Sequence, residues 1–259
     1  MQVSIVTPSF NQGRFIRDCI ESVKSQTGVQ WEHLVQDAGS TDETVAVLKE
    51  YPQLKWVSAP DQGMSDGINR GFRKATGDWV MWLNTDDYLL PGALARMLSF
   101  AAAHPEADVI YGDTDFVDAS GKLLRHKREH AFYFNILLYY GCYIQSTATF
   151  LRRRVIEAGH LLNPEYRVCM DFEYYVRLSR LGYRFAHLPA PLAAFRWHAA
   201  NTSTVQSPRR REERLRVQRA YLSLTGKPHL QSERTLALLF HVHRLLRLPL
   251  KLAARWQAR

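Results

Sequence analysis

Cysteine is scarce in this chain of 259 residues: Cys19, Cys142 and Cys169 are the whole complement. An odd, widely spaced trio excludes a disulfide framework and has no metal-ligand spacing, so neither a stapled secreted domain nor a zinc site is expected. Reduced thiols in a cytoplasmic protein fit that usage. Long apolar runs are missing as well. No stretch of about 18 uncharged apolar residues occurs, so no spanning helix is expected. The first residues pass directly into the strand-like run Val3-Ser4-Ile5-Val6-Thr7. With no basic segment and apolar core ahead of it, no signal peptide is expected. Repeats and low-complexity tracts are also absent, which argues against solenoids and disordered arrays.

Charge is divided unevenly between the body and the tail. The chain carries +9 overall, but residues 206–259 hold 13 Lys/Arg against 3 Asp/Glu, a net +10, leaving −1 for the first 205 residues. The body is nearly neutral and the tail holds the whole excess. Such asymmetry points the tail at an anionic surface, either membrane or nucleic acid.

What is present is a strand–helix alternation. Residues 3–7 read as a buried strand. Phe15, Ile16, Cys19, Ile20 and Val23 form a helical stripe over 13–26. A second strand covers 31–36. Ser40-Thr41-Asp42-Glu43 has the form of a capping box, predicting a helix from there to about Glu50. A short strand at 54–57, a helix over 66–74 and a very apolar strand at 79–83 follow. Pro91 then opens a helix to about Ala103. The middle is less regular. Residues 109–111 and 122–124 flank Ala119-Ser120-Gly121 as a hairpin. Residues 132–143 are strongly aromatic and, with Gln145-Ser146, suit either a core strip or an acceptor wall. A strand is predicted at 147–151, a helix at 170–181, and a strand at 184–188 that stops before two prolines. From Ser207 the chain reads as basic helices broken at Gly226-Lys227-Pro228.

Alternation of this kind builds a parallel sheet covered on both faces, with ligands beyond the carboxyl ends of the strands. The polar clusters fall at those ends: Thr7-Pro8-Ser9-Phe10-Asn11, Asp37-Ala38-Gly39-Ser40 and Asn84-Thr85-Asp86-Asp87. Two adjacent carboxylates leaving a buried strand repel one another, and a hard divalent cation relieves that. A helix-entry loop with Asp87 as a cap is the alternative. Asp37 can accept from a base or ribose or can organise its own turn. Asp171 opens a helix, where the dipole alone favours an acid.

Read together and in order, these segments resemble the family 2 inverting glycosyltransferases of the GT-A fold. The matching residues are Val6 through Asn11, Asp37 through Asp42, Asp61-Gln62-Gly63 with Asp66 and Asn69, Gly77-Asp78, Leu83 through Asp87, and Met170-Asp171 with Arg177. The resemblance spans residues 1 to about 203. It implies an α/β fold: a Rossmann-like, mostly parallel central sheet with helices on both faces. A nucleotide-sugar-binding half (1–103) and an acceptor and catalytic-base half (104–205) would precede a basic helical C-terminal extension (206–259). It further implies metal-dependent, inverting transfer of a sugar from a nucleotide-diphosphate donor, a UDP-sugar, to a hydroxyl of a saccharide or lipid-linked acceptor, in cell-surface polysaccharide synthesis. Thr7, Pro8, Ser9 and Asn11 would line the nucleoside pocket, with Gly39 allowing close approach. Asp37 would bond the base or ribose. Asp66, Asn69 and Arg70 would face the donor, with Asn84 and Thr85 beside it. Asp86, Asp87 and His198 would hold Mn²⁺ or Mg²⁺, and Asp171 would be the catalytic base. Two positions depart from the family pattern: Asn84 replaces the first acid of the Asp-x-Asp motif, and Ala38 replaces a glycine. With one charge fewer, the cation would need the donor's phosphates to complete its shell.

In the tail, leucines from Leu236 to Leu252 interleave with Arg244, Arg247, Lys251, Arg255 and Arg259, with Trp256 near the end. That pattern suits a helix lying in an anionic interface, kinked at Pro249, at the inner face of the cell membrane. A basic helix packed on the body is the other reading. Three rival functions are weaker. A nucleotidyltransferase would open with a Gly-rich basic phosphate loop, unlike Thr7-Pro8-Ser9-Phe10-Asn11-Gln12-Gly13. A nucleic-acid binder would leave the strand-end acids unexplained, so no nucleic acid partner is expected. A catalytically inactive relative that only binds nucleotide sugar is separable by activity alone.

Overall fold

Side-chain alternation along β1 (Gln2–Ser9) and β4 (Trp79–Trp82) sets the centre of the molecule. Val3, Ile5, Trp79 and Met81 enter one apolar cluster, while Val6, Val80 and Trp82 enter another. All are fully buried. Strands buried on both faces require helices on both. The computed structural model describes residues 1–199, 201 and 207–257, and it places α1 (Gly13–Lys24) and α4 (Ala93–Ala103) against one face. The other face is covered by α3 (Met64–Lys74), α6 (Met170–Arg180) and the C-terminal helices. Gly71 lets α3 close on β1: a Cβ there would stand 2.3 Å from Val6 Cγ1.

The sheet changes character halfway across. β3 (Lys55–Ser58), β2 (Gln30–Asp37), β1 and β4 are adjacent and all parallel. Beyond β4 the ladder becomes mixed. β8 (Thr149–Arg152) is antiparallel to both β4 and β6 (Val109–Val117), β9 (Phe185–Arg196) is parallel to β6, and β5 (Tyr88–Leu89) closes that edge antiparallel to β9. β7 (Leu123–Lys127) pairs with β6 as the expected hairpin, its turn held by Asp118 Oδ1, which accepts from the N–H groups of Ser120 and Lys122.

Three local expectations give way. Ser40 caps nothing: its hydroxyl donates to Asp37 and accepts from the Asn11 N–H, and α2 starts later (Thr44–Lys49). Asp42 Oδ1 bonds the Thr44 N–H and hydroxyl there instead. Pro91 lies outside α4, which begins after Gly92 in the left-handed region. β9 runs through Pro189 and Pro191. The β6 ladder slips at Gly112 and Asp113, where the partner jumps from Leu188 to Pro191 and then Ala193. A bulge accommodates residues that cannot donate to a ladder.

The C-terminal extension is packed onto this core. α7 (Ser207–Leu224) buries Leu215, Val217 and Leu222, and Gln218 donates to the Leu138 carbonyl. α8 (Glu233–Gln257) lays Leu236 and the Phe240 ring against the π-helical turn Ile136–Tyr140, and Arg247 pairs with buried Glu129. Residues 132–143 are accordingly mostly core. The side chains of Arg255 and Trp256, and all of Arg259, lie outside the described residues.

Candidate active site

The parallel strands deliver their polar ends to one crevice of about 620 Å³. Pro8, Ser9 and Phe10 reach it from β1, and Asn84, Thr85 and Asp86 from the end of β4. Pro60, Asp61 and Gly63 line it from the loop before α3, and Met170 and Asp171 from the first turn of α6. This is where an open parallel sheet binds ligands.

Asp86 and Asp87 part company as they leave β4. Asp86 faces the crevice, where its Oδ2 meets His198 Nε2 at 3.0 Å and Asn201 Nδ2 at 3.4 Å. Asp87 turns inward and is 1% exposed. It accepts from Thr147 Oγ1 at 2.6 Å, from the Arg196 N–H at 2.9 Å and from Asn84 Nδ2 at 3.4 Å. Burial, then the adjacent Asp86 charge, push its carboxyl well above the usual range. Arg196 fastens the loop. It donates to the Asp86 carbonyl, the Ala119 carbonyl and Asp18, and lies over the Phe15 and Tyr88 rings. His198 stacks on Phe15 at 5.1 Å.

Asn84 Oδ1 and Ser9 Oγ are buried without a partner in residues that line the crevice. Unpartnered buried polar atoms are costly, so ones in residues that line a crevice suit a ligand. The Asp86 carboxylate and His198 Nε2 make an oxygen-and-imidazole pair that fits Mn²⁺ or Mg²⁺, and Asn84 lines the same crevice. Among the described residues no group of three or more His, Cys, Asp or Glu could hold a metal ion by itself. Ligand oxygens are needed to complete a shell. Asp87, expected as a direct metal ligand, is instead spent on Thr147, Arg196 and Asn84, because burial leaves it no free face.

Asp171 is the second residue of α6 and lies in the crevice wall. Its Oδ1 accepts the Phe172 N–H at 2.7 Å. Burial raises its carboxyl above the ordinary value, and that N–H and the Cys142 thiol only partly offset it. A carboxylate with a raised pKa is a stronger proton acceptor than a solvated one.

Of the residues expected here, Pro8, Ser9, Asn84, Thr85, Asp86 and Asp171 line the crevice, and His198 reaches it through Asp86. The rest serve as struts. Thr7 is buried and bonds His33 Nε2 at 2.8 Å, and burial holds that imidazole down at about 3. Asp37 is 2% exposed, its carboxylate taken by the Gly39 and Ser40 N–H groups and the Ser40 and Ser58 hydroxyls. Gly39 backs onto Pro60. Asn11 holds Thr41. Asn69 exchanges both amide bonds with the Leu162 backbone. Asp66 pairs with Arg70, which also donates to the Pro60 carbonyl. Polar residues near strand ends satisfy loop backbone as readily as ligands, and motif position alone does not separate the two uses.

Phe10, Gln12, Asp61, Arg167, Phe195 and Asn201, which are not among the expected site residues, also line the crevice, and so does Ser146 of the expected acceptor wall. Asp61, within a quoted motif, and Asn201, three residues past His198, carried a positional signal. Arg167 carried none.

Known proteins resemble this chain in sequence and in fold. The glycosyl transferase family 2 model matches residues 4–159. A PGL/p-HBAD biosynthesis glycosyltransferase of Mycobacterium tuberculosis is 31% identical over 180 residues, 67% of this chain and 68% of that protein. Chondroitin synthase of Escherichia coli is 26% identical over 231 residues, 86% of this chain but 33% of that protein. Among solved structures, residues 1–349 of S. aureus TarS in complex with UDP-GlcNAc match with a TM-score of 0.68 at 18% identity, covering 85% of this chain and 66% of that one. The mannosyltransferase PcManGT from Pyrobaculum calidifontis, in complex with GDP-Man and Mn²⁺, matches with a TM-score of 0.59 at 15% identity, covering 99% and 84%. The architecture is the GT-A fold.

Proposed function

This chain belongs to glycosyl transferase family 2, and from that premise we propose that it is a metal-dependent, inverting transferase. It moves a sugar from a nucleotide-diphosphate donor to a hydroxyl of a saccharide or lipid-linked acceptor, in cell-surface polysaccharide synthesis. The observation that carries this reading is the presence of Asp171 in the same crevice as Asp86, Asn84 and Ser9. Residues 4–159 of the family match do not include Asp171, so its role rests on that placement. As the acceptor oxygen attacks the anomeric carbon, Asp171 takes the hydroxyl proton and the bond from that carbon to the diphosphate oxygen breaks. Attack and departure on opposite sides invert the centre. Asp86, Asn84 and His198 would hold the cation, which when bound neutralises charge on the leaving diphosphate. Arg196 keeps that loop in place. The nucleoside would lie against Pro8, Ser9 and Phe10.

A UDP-sugar is the proposed donor, and the TarS complexes with UDP-GlcNAc and UDP support it. Thermal melts with UDP, GDP and other nucleoside diphosphates, each with and without Mn²⁺, test the reading. One nucleotide should raise the melting temperature only when the cation is present, by an amount that grows with its concentration. No shift with any pair would sink it.

The same reading places the enzyme at the inner face of the cell membrane. Leu238, Val242, Leu245 and Leu252 recur at helical spacing on α8 and are 64%, 40%, 66% and 57% exposed. They face away from Leu236 and His243, which are buried against the body. Five bases and one acid fall within α8. No described helix is long and apolar enough to cross a membrane, so this one would lie in the interface plane. Co-sedimentation with phosphatidylglycerol vesicles should fall on Leu245→Ser with Leu252→Ser. Equal binding by the variant, or preferential salt-sensitive binding to DNA, would count against it.

A further inference from the structure

The C-terminal extension reaches the crevice through one carboxylate. Glu213 on α7 is 5% exposed. Its Oε1 accepts the backbone N–H of Arg167 at 3.0 Å, and its Oε2 accepts those of Val168 and Cys169 at 2.9 Å each. Arg209, one turn earlier, donates to Oε1 at 2.8 Å. Burial works against the charge on Glu213, but these donors prevail and hold its carboxyl below the usual range. Cys169 is the residue just before α6, and its side chain makes no cap bond there. Amides at a helix start must find acceptors. Here three consecutive ones, ending two residues before Asp171, are gathered by an acid from a separate element.

The same segment sets a cation. Arg167 is the one Lys or Arg among the described residues lining the crevice, whose lining acids are Asp61, Asp86 and Asp171. Its guanidinium lies on Gly63 and donates to the Gln62 carbonyl. A Cβ at Gly63, where φ is +109°, would stand 1.9 Å from Arg167 Nη1, so the glycine leaves the space the guanidinium fills. A diphosphate entering so acidic a crevice needs a fixed cationic donor.

We propose that Glu213 is a positioning residue for the transfer. By gathering the amides of residues 167–169 it holds Arg167 as a contact to the donor's diphosphate and Asp171 at the acceptor hydroxyl, which makes the C-terminal extension a working part of the active site. The proposal rests on the transferase reading above. Displacing a reacting group by about 1 Å can cost about a hundredfold in rate, so a lost anchor registers in catalysis before it unfolds the chain.

The test uses the full chain as wild type and as Glu213→Gln, Arg167→Ala, the double variant and Arg209→Ala. UDP and GDP binding with Mn²⁺ is read by calorimetry, and turnover of UDP- and GDP-sugars by steady-state kinetics. Glu213→Gln should lower kcat/KM at least about tenfold and weaken the bound nucleotide as much as Arg167→Ala does. It should also shift the acid limb of the kcat profile, because Asp171 moves. The double variant should bind no worse than either single one, since both losses act through one guanidinium. Arg209→Ala, which leaves the three amide bonds in place, should stay within about twofold. A Glu213→Gln enzyme that melts earlier but keeps wild-type affinity, kcat and pH limb overturns the proposal. If Glu213→Gln does not fold, Arg167→Ala still decides, because that exposed side chain can be removed without touching the backbone bonds; unchanged nucleotide affinity overturns the proposal. A wild type that binds neither nucleotide instead sinks the transferase reading itself, and Glu213's role with it.

Discussion

The amino-terminal end of the central sheet and the crevice at its other end hold the carboxylates of Glu32 and Asp171 in opposite ways. At the amino-terminal end, Glu32 on β2 accepts from the Ser4 hydroxyl, the Thr76 N–H and hydroxyl, and Lys55. Burial opposes its charge, but those donors hold it down at about 2. At the carboxyl end, Asp171 is pushed up by burial, and Asn84 Oδ1 and Ser9 Oγ have no partner. Glu32 is saturated with donors, as are Asp37 and Asp87, whereas Asp171 accepts only the Phe172 N–H and the Cys142 thiol and shares its crevice with the orphaned oxygens of Asn84 and Ser9. Saturation serves stability, whereas open polar groups around a crevice are groups that a ligand completes. The difference separates acids that hold the fold from acids available for chemistry, which their positions at strand ends alone do not.

The comparison breaks most sharply at Asp171. Asp171→Asn should reduce transfer by about 10²–10⁴-fold, the usual range for a lost general base, while nucleotide affinity with Mn²⁺ stays near wild type. Equal rates for the two proteins would remove Asp171 from the mechanism. Next in size is Glu32→Ala. It strands the Thr76 N–H and two hydroxyls in a buried site and should cost about 1–3 kcal/mol, read as a lower midpoint in urea. Turnover per folded molecule should be unchanged. A loss of turnover at full stability would show that the far end of the sheet takes part in catalysis.

How much of this could be read from residues alone depended on how local each cause is. β1, β4, α1 and α6 were legible because each carries its own apolar pattern, and the pattern decides the face. β9 was cut short at Pro189 because what rescues the strand is a slip in its ladder with β6, some 75 residues earlier. The Ser40 cap failed through competition: Asp37 and Asn11 were better placed partners for that hydroxyl. At the site, Asp86 and Asp171 were legible from motif order, yet Asp37, Asn69 and Asp87 share the same motifs and are spent on neighbours contributed from elsewhere in the chain. Arg167 and Glu213 lie 46 residues apart and meet only in the folded chain.

The smallest effect is also the one that tests the contrast between the two ends on a single scale, because the two acids link pH to stability with opposite outcomes for their variants. Glu32 has a depressed pKa in the folded protein. Its stabilisation is therefore present above the ordinary carboxylate value and is lost as pH falls toward about 2. Asp171 has a raised one, so its contribution is fully present below the ordinary value and is lost as pH rises through the folded value. Asn at 171 is close in shape and never ionises, so it escapes that loss. Asp171→Asn should thus melt slightly above wild type near neutral pH, as active-site substitutions often do, with the gap closing as pH falls. Glu32→Ala should melt below wild type near neutral pH, and its gap should close on further acidification. Melts of the three proteins from about pH 8 to about pH 2.5 check both slopes. If Asp171→Asn is the less stable protein at neutral pH, the carboxylate at 171 is a satisfied strut like Glu32, and the distinction between the two ends of the sheet does not hold there.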